Sequence, residues 1–175
     1  MQSAIVQPDK HSWVRTVIIG RNPRLTFIRI VLTVIISLVV FNYVLLPIRV
    51  EGPSMLPTYR DGSVNFVNRL AYWRAEPRRG DVIAVRFTGP NMMLMKRVVA
   101  LPGETVEYVE GRLLVNGQFL EEPYLKYSCD WNVRPEHYKL EADEYYVVGD
   151  NRSMPYGLHE KGAARRKRIM GRIVL

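Results

Sequence analysis

The sequence predicts a mainly β domain held behind one N-terminal transmembrane helix, and three observations predict it. A run from Ile30 to Leu46, IVLTVIISLVVFNYVLL, carries no formal charge. Beyond it, short runs rich in Val, Ile and aromatics alternate with Gly and Pro, as strands bounded by turns do. After residue 70 no long helical period appears. The 175 residues suffice for one domain plus an attached segment. The divisions expected are a basic segment 1–29, an anchor 30–46 and a β-rich domain 47–175.

The anchor is justified by length and by the lack of a polar face. Seventeen residues reach the short end of what spans a hydrocarbon core, roughly 17–25 as helix. Phe27 and Ile28 lengthen the run if Arg29 snorkels to the headgroups. A buried core helix is the alternative, but such a helix shows a polar stripe, and here only Thr33, Ser37 and Asn42 are distinctly polar. The exit, Leu46-Pro47-Ile48-Arg49-Val50, has no Ala-x-Ala-like cleavage site, so the segment reads as a permanent anchor rather than a removed leader. Lys10, Arg15, Arg21, Arg24 and Arg29 precede it against Asp9 alone. Positive-inside bias then keeps that end cytoplasmic and puts the domain outside.

Strands are expected at Ser63–Asn68, Asp81–Phe87, Leu94–Leu101 and Thr105–Glu110, with another in EYYVVGDN ending at Gly149. In LLVNGQFL, Asn116-Gly117 is the preferred pair for a tight type I′ hairpin turn. In RLAYWRAEPRRGD, Tyr72 and Trp73 either lie in a solvated connection or dip into the lipid interface.

The formal charge of +8 favours an anionic partner, nucleic acid or an anionic membrane surface. The basic tail ARRKR, Ala164–Arg168, lacks interleaved aromatics, so a solvated or lipid-facing patch is preferred and no nucleic acid is expected. A single cysteine, Cys129, excludes an internal disulfide and any multi-cysteine zinc site. No His-Glu-x-x-His occurs, and neither metal nor organic cofactor is expected.

Ser54 stands in VEGPSMLPT, framed by Pro53 and Pro57. The nucleophile-elbow pattern fails at its last glycine, and the Ser-x-x-Lys pattern meets Pro57. His11 precedes the anchor, while His137 and His159 lie in polar, loop-like sequence and read as surface or satisfied histidines. A lysine base is what remains. Lys96 lies in NMMLMKRVVALPGE among apolar and β-branched neighbours. A free lysine is neutral only about 4 times in 10,000 at pH 7; bringing it to neutrality costs about 4.6 kcal/mol, at about 1.36 kcal/mol per pH unit. Burial in an apolar wall supplies shifts of that size. Arg97 cannot serve, because guanidinium stays charged; strand alternation lets Lys96 be buried while Arg97 is wet. From spacing alone, a serine turn beside an amphipathic strand lysine remains an alternative to a Ser54–Lys96 dyad.

GPSMLPT, RGDVIAV, KRVVALPGE and GDNR occur in this order after the span, from about Val50 to Arg152. Together they resemble type I signal peptidase, the membrane-bound Ser/Lys endopeptidase that releases exported proteins from their leaders. The resemblance implies a signal-peptidase-like β catalytic domain with one N-terminal transmembrane helix. It makes Ser54 the nucleophile and Lys96 its general base. Gly52, Pro53, Met55 and Pro57 form the nucleophile and oxyanion loop, with backbone N–H groups as the chief oxyanion donors. Gly149, Asp150 and Asn151 resemble the family's wall beside the lysine. Leu94 and Met95 begin the strand along which substrate is laid.

Two departures stand out. Many relatives place a hydroxyl residue two before the nucleophile, where this chain has Gly52. The family's continuation of GDNR, with its lysine-assisting serine and Asp-Ser-Arg, is replaced by SMPYGLHEKG. Ser153 is the nearest counterpart of that serine, and His159 occupies about the region of the family's arginine. The partners implied are signal peptides of secreted precursors and anionic membrane lipids. The location implied is a bacterial plasma membrane, single-pass with the catalytic domain outside, with an organellar inner membrane as the alternative. Rival readings are a self-cleaving Ser/Lys repressor, which would carry a helix-turn-helix where this chain has a lipid span, and a catalytically inactive anchored binding module.

Overall fold

The structure is a computed structural model that describes residues 22–87, 93–126, 129, 131 and 137–174. It divides into two compact units, Met1–Asn42 and Tyr43–Leu175. In the first, helix α1 covers Pro23–Val39. Pro23 sits in its first turn, where a missing N–H costs nothing. The helix passes into a π-turn at Val40–Val44. The whole stretch Pro23–Val44 has mean hydropathy 2.3 and is long and apolar enough to cross a membrane. Its polar side chains bond within the helix: Thr33 Oγ1 donates to the Arg29 carbonyl at 2.8 Å and Asn42 Nδ2 to that of Leu38 at 2.7 Å. Such back-bonding gives these polar groups partners without water.

The second unit is antiparallel β. Its strands are β1 (Leu45–Arg49), β2 (Val64–Asn68), β3 (Val82–Val85), β4 (Leu94–Ala100), β5 (Thr105–Val109), β6 (Arg112–Val115), β7 (Gln118–Phe119), β8 (Tyr138–Lys139), β9 (Glu144–Val148), β10 (Gly162–Arg165) and β11 (Ile169–Val174). One sheet runs β1-β2-β11-β3-β4-β9-β10 and the other β7-β6-β5-β8. The expected mainly β class holds. At the β6–β7 hairpin Asn116 and Gly117 have φ of 53° and 76°, the positive pair a type I′ turn requires.

Strands β3, β4 and β9 form the middle of the large sheet, buried from Met95 to Ala100 and from Glu144 to Val148. Val82–Val85, Val98–Val99 and Val147–Val148 supply the apolar stretches of these strands, and their burial marks strands covered on both faces. Two core clusters use this sheet: one joins Ile83, Val85, Val98, Tyr145 and Val147, the other Val50, Met55, Val67, Ala84 and Met95. A third, around Val106, Tyr108, Leu113 and Trp131, reaches the small sheet. The last two residues of the apolar run, Leu45 and Leu46, belong to β1.

Tyr72 is half-buried, and its hydroxyl donates to Asp81 Oδ2 at 2.9 Å, while Trp73 is exposed. In the ARRKR tail, Arg166 bonds Glu76 and the Tyr72 carbonyl, and Arg168 the Phe87 carbonyl. Arg165 bonds Glu141 as well, so three of its cations are tied to the protein itself.

Candidate active site

Ser54 lies in a single 3-10 turn, Pro53–Met55. Gly52 precedes it at φ 89°, a conformation that favours glycine, and donates its N–H to Asp61 Oδ1 at 2.9 Å. Met55, 1 % exposed, anchors the turn in the apolar cluster below. Across from it, Asn151 donates its backbone N–H to the Ser54 carbonyl and its side-chain amide to the Pro53 carbonyl, each at 3.0 Å. Gly149 presses on the same carbonyl: a Cβ there would stand 2.2 Å from it. The segment resembling the wall beside the lysine therefore clamps the serine's own loop. Pro57 stands two residues past Met55.

Lys96 is in the middle of β4, opposite Ile83 of β3. Its Nζ is 3.1 Å from Ser54 Oγ, and the side chain is 1 % exposed. Burial pushes the ammonium below its ordinary range, and the Glu160 carboxylate, 3.8 Å from Nζ, pushes it partly back.

Arg97 corrects the expectation of a wet neighbour. It too is buried, because Asp150, fully buried, receives its guanidinium through two hydrogen bonds and the Gly80 carbonyl accepts a third. Thr58 Oγ1 also donates to Asp150, which ties the far end of the serine loop to the same carboxylate. Although desolvation opposes charge, bonding to Asp150 raises the Arg97 pKa.

Ser153 donates its hydroxyl to Asn151 Oδ1 at 2.6 Å, so it braces the loop clamp rather than touching Lys96. His137 is exposed beside Glu107. His159 differs from the surface or satisfied histidine expected: it is 3 % exposed, and neither ring nitrogen finds a partner among the described residues. Burial first, then the cations Lys96, Arg152 and Lys161, hold its pKa down to about 4. Arg152 closes the rear with a buried pair to Glu122 and a bond to the Gly149 carbonyl.

Over Ser54 opens a cavity of about 490 Å³ whose walls include Ile48, Val50, Met55, Leu94 and Met95, with Glu160. A larger one, about 690 Å³, lies beside Arg112, Phe119 and Cys129 and is lined by neither Ser54 nor Lys96. The chemistry selects the smaller. Among the described residues no group of three or more His, Cys, Asp or Glu is placed to hold a metal ion. A part-buried serine–amine contact under a trough lined by both apolar and charged side chains can attack a carbonyl and pass a proton to its leaving group.

The family model for "Signal peptidase, peptidase S26" matches residues 24–175. A signal peptidase I of Leptolyngbya laminosa is 38 % identical over 152 residues, 82 % of this chain and 74 % of its own. Signal peptidase I V of Bacillus subtilis is 34 % identical over 161 residues, 85 % and 95 % of the two chains. Among solved structures, a signal peptidase I from Enterococcus faecalis aligns at 27 % identity with a TM-score of 0.46, covering 57 % of this chain and 97 % of that one.

Proposed function

The chain belongs to the signal peptidase family, and from that premise we propose that it is a type I signal peptidase, a serine endopeptidase with Ser54 as nucleophile and Lys96 as general base. It cuts leader peptides from exported precursors after small residues, at Ala-x-Ala-like sites. The observation that carries this reading is the 3.1 Å contact between Ser54 Oγ and a Lys96 Nζ shut away from solvent.

The precursor lies extended along Leu94–Met95 and the Ile48–Pro53 stretch, adding a strand whose alternate side chains point into the trough. The apolar lining and modest volume suit alanine-sized groups. Neutral Lys96 takes the Ser54 proton as Oγ bonds to the scissile carbonyl carbon, while backbone N–H groups of the Ser54 loop stabilise the oxyanion. Lys96 then gives that proton to the leaving amine, and an acyl-enzyme remains. Water, deprotonated by the same amine, releases the new carboxyl terminus and restores Ser54. The helix Pro23–Val44 anchors enzyme and threaded substrate in one membrane and raises their effective concentration. The basic N-terminal flank faces the cytoplasm and its anionic lipids, and the β domain faces outward.

Ser54→Ala and Lys96→Arg test the proposal with detergent-solubilised protein and a precursor whose leader ends in Ala-x-Ala. Each is expected to lower cleavage by about 10³-fold or more while circular dichroism stays that of the parent. Arginine keeps the charge but cannot shed its proton to act as a base, so parental turnover by that variant would remove Lys96 from the mechanism.

A further inference from the structure

We infer that Glu160 is a positioning residue for this reaction: its carboxylate holds the proton on Lys96 in the empty cleft and gives way when a peptide enters. The inference rests on the Ser54–Lys96 reading above. Glu160 Oε2 is 3.8 Å from Nζ, too far for a hydrogen bond but close for an ion pair. Its side chain is 54 % exposed against 1 % for Lys96, so the carboxylate stands between the buried amine and the open trough, of whose wall it is part.

The backbone that presents Glu160 is fixed from both sides. His159 packs edge-on against Trp131, with centroids 5.0 Å apart. Lys161 Nζ donates to the Tyr156 carbonyl at 2.8 Å and sits over the rings of Tyr156 and Trp131. Trp131 itself donates its indole N–H to the Met154 carbonyl. Only the side chain of Glu160 is left to swing, and its root is held over the dyad.

Several other charges around Lys96 are committed elsewhere. Arg97, next on β4, is bonded to Asp150. From β3, Val82, Ile83 and Ala84 bring no charge, and Asp81 accepts from Tyr72 and Arg78. From β9, Val147 and Val148 bring none. Arg152 is paired with Glu122. His159, with its pKa near 4, stays neutral through the range in which a lysine base works. Arg49 and Glu51 line the trough beside Glu160. Among the described residues, Glu160 is the carboxylate paired with Nζ.

Catalysis needs the neutral amine, and an adjacent carboxylate favours the ammonium form. A peptide that brings its carbonyl carbon to Ser54 Oγ must also bring its nitrogen within reach of Nζ, and so competes with Oε2 for the same approach. Binding therefore removes the group that keeps the base protonated, the ammonium proton passes to solvent water at the open trough, and activation of Ser54 depends on occupancy.

The test uses the full chain in detergent with an Ala-x-Ala precursor. The acid limb of kcat/KM reports the free enzyme and that of kcat the complex. In the parent the first is expected about one pH unit above the second, the scale of a half-exposed ion pair. Glu160→Gln is expected to bring the kcat/KM limb down by about one pH unit and leave the kcat limb in place, a gain of up to about tenfold in kcat/KM on the acid side. In parallel, ¹⁵N NMR titration of the Lys96 amine without substrate should show the same fall. Coincident limbs in the parent, or an amine midpoint that Glu160→Gln leaves unmoved, would overturn the inference. If both limbs fall together, the carboxylate stays in place through turnover and displacement is refuted. The amine titration reads the contact even if neither protein cleaves the precursor, an outcome that would sink the peptidase reading separately.

Discussion

Gly149→Ala adds one methyl group 2.2 Å from the Ser54 carbonyl oxygen and 2.8 Å from His159 Cε1. Ordinary contact begins at 3.4 Å, so about 1 Å must be recovered, and the nearer neighbour is backbone rather than a flexible side-chain tip. The carbonyl cannot retreat without stretching the 3.0 Å bond it accepts from the Asn151 N–H, and Asn151 also holds Pro53. The displacement is thus passed to the turn that carries Ser54 Oγ, which starts only 3.1 Å from Lys96. A misplacement of about 1 Å costs about 10²-fold in rate, or about 2.7 kcal/mol in the barrier; overpacking costs a further ~1–3 kcal/mol of stability. Initial rates of precursor cleavage, with thermal unfolding of the same samples, measure both. Gly157→Ala is the control, since a Cβ there meets nothing within 4 Å, and it should leave both unchanged. If Gly149→Ala cleaved within twofold of the parent at full stability, the serine loop would not be pinned by this contact.

Two further predictions concern the buried ions behind the site. Glu122→Gln leaves the Arg152 guanidinium, 0 % exposed and paired at 2.5 Å in the parent, without its counter-ion; removing one partner of a buried pair costs about 3–5 kcal/mol, to be read from urea denaturation. His159→Phe tests the unpartnered imidazole. The folded pKa of about 4 lies below the unfolded value near 6.5, so the unfolded chain binds more protons between these limits and stability falls as pH drops from about 6.5 to about 4. The phenylalanine variant should lose less stability over that window, by at most about 3 kcal/mol, visible as a flatter melting temperature against pH; parallel curves would refute the assignment.

What the sequence made legible was local. Strands β2 to β6 and β9 announce themselves as β-branched runs, and Asn116-Gly117 as their tightest turn. β1 was hidden because Leu45 and Leu46 extend the apolar run and Pro47 breaks the strand pattern directly after them. β10 is built on Gly and Ala, which carry little strand preference, and β11 comes after a basic tail that read as a surface patch. In the site, the two prolines drew attention to Ser54 and the apolar flanks to Lys96. Their meeting spans 42 positions, and the Asn151–Pro53 bond spans 98. No local signal fixes contacts over such distances. Glu160 gave no sign at all, sitting in a polar stretch whose geometry is imposed by Trp131. His159 was misread for the same reason, because its burial comes from aromatic partners remote in sequence.

Lys96 and Arg97 show why apolar surroundings alone do not make a base. The two cations are adjacent on one strand and both are buried, and for both the largest influence is desolvation, which disfavours charge. The outcomes nevertheless run in opposite directions: the lysine falls below its ordinary range and the arginine rises above its own. The difference lies in the anions each is given. Asp150, fully buried, meets Arg97 with both oxygens, and a charge-assisted pair of bonds outweighs the burial cost. Lys96 receives one half-exposed carboxylate at 3.8 Å, whose field is screened by the open trough. Strand alternation makes this separation possible, because it sends successive side chains to opposite faces and keeps Asp150 on the arginine's side. The buried amine is left open to the base role proposed for it because the strong counter-ion is spent on its neighbour.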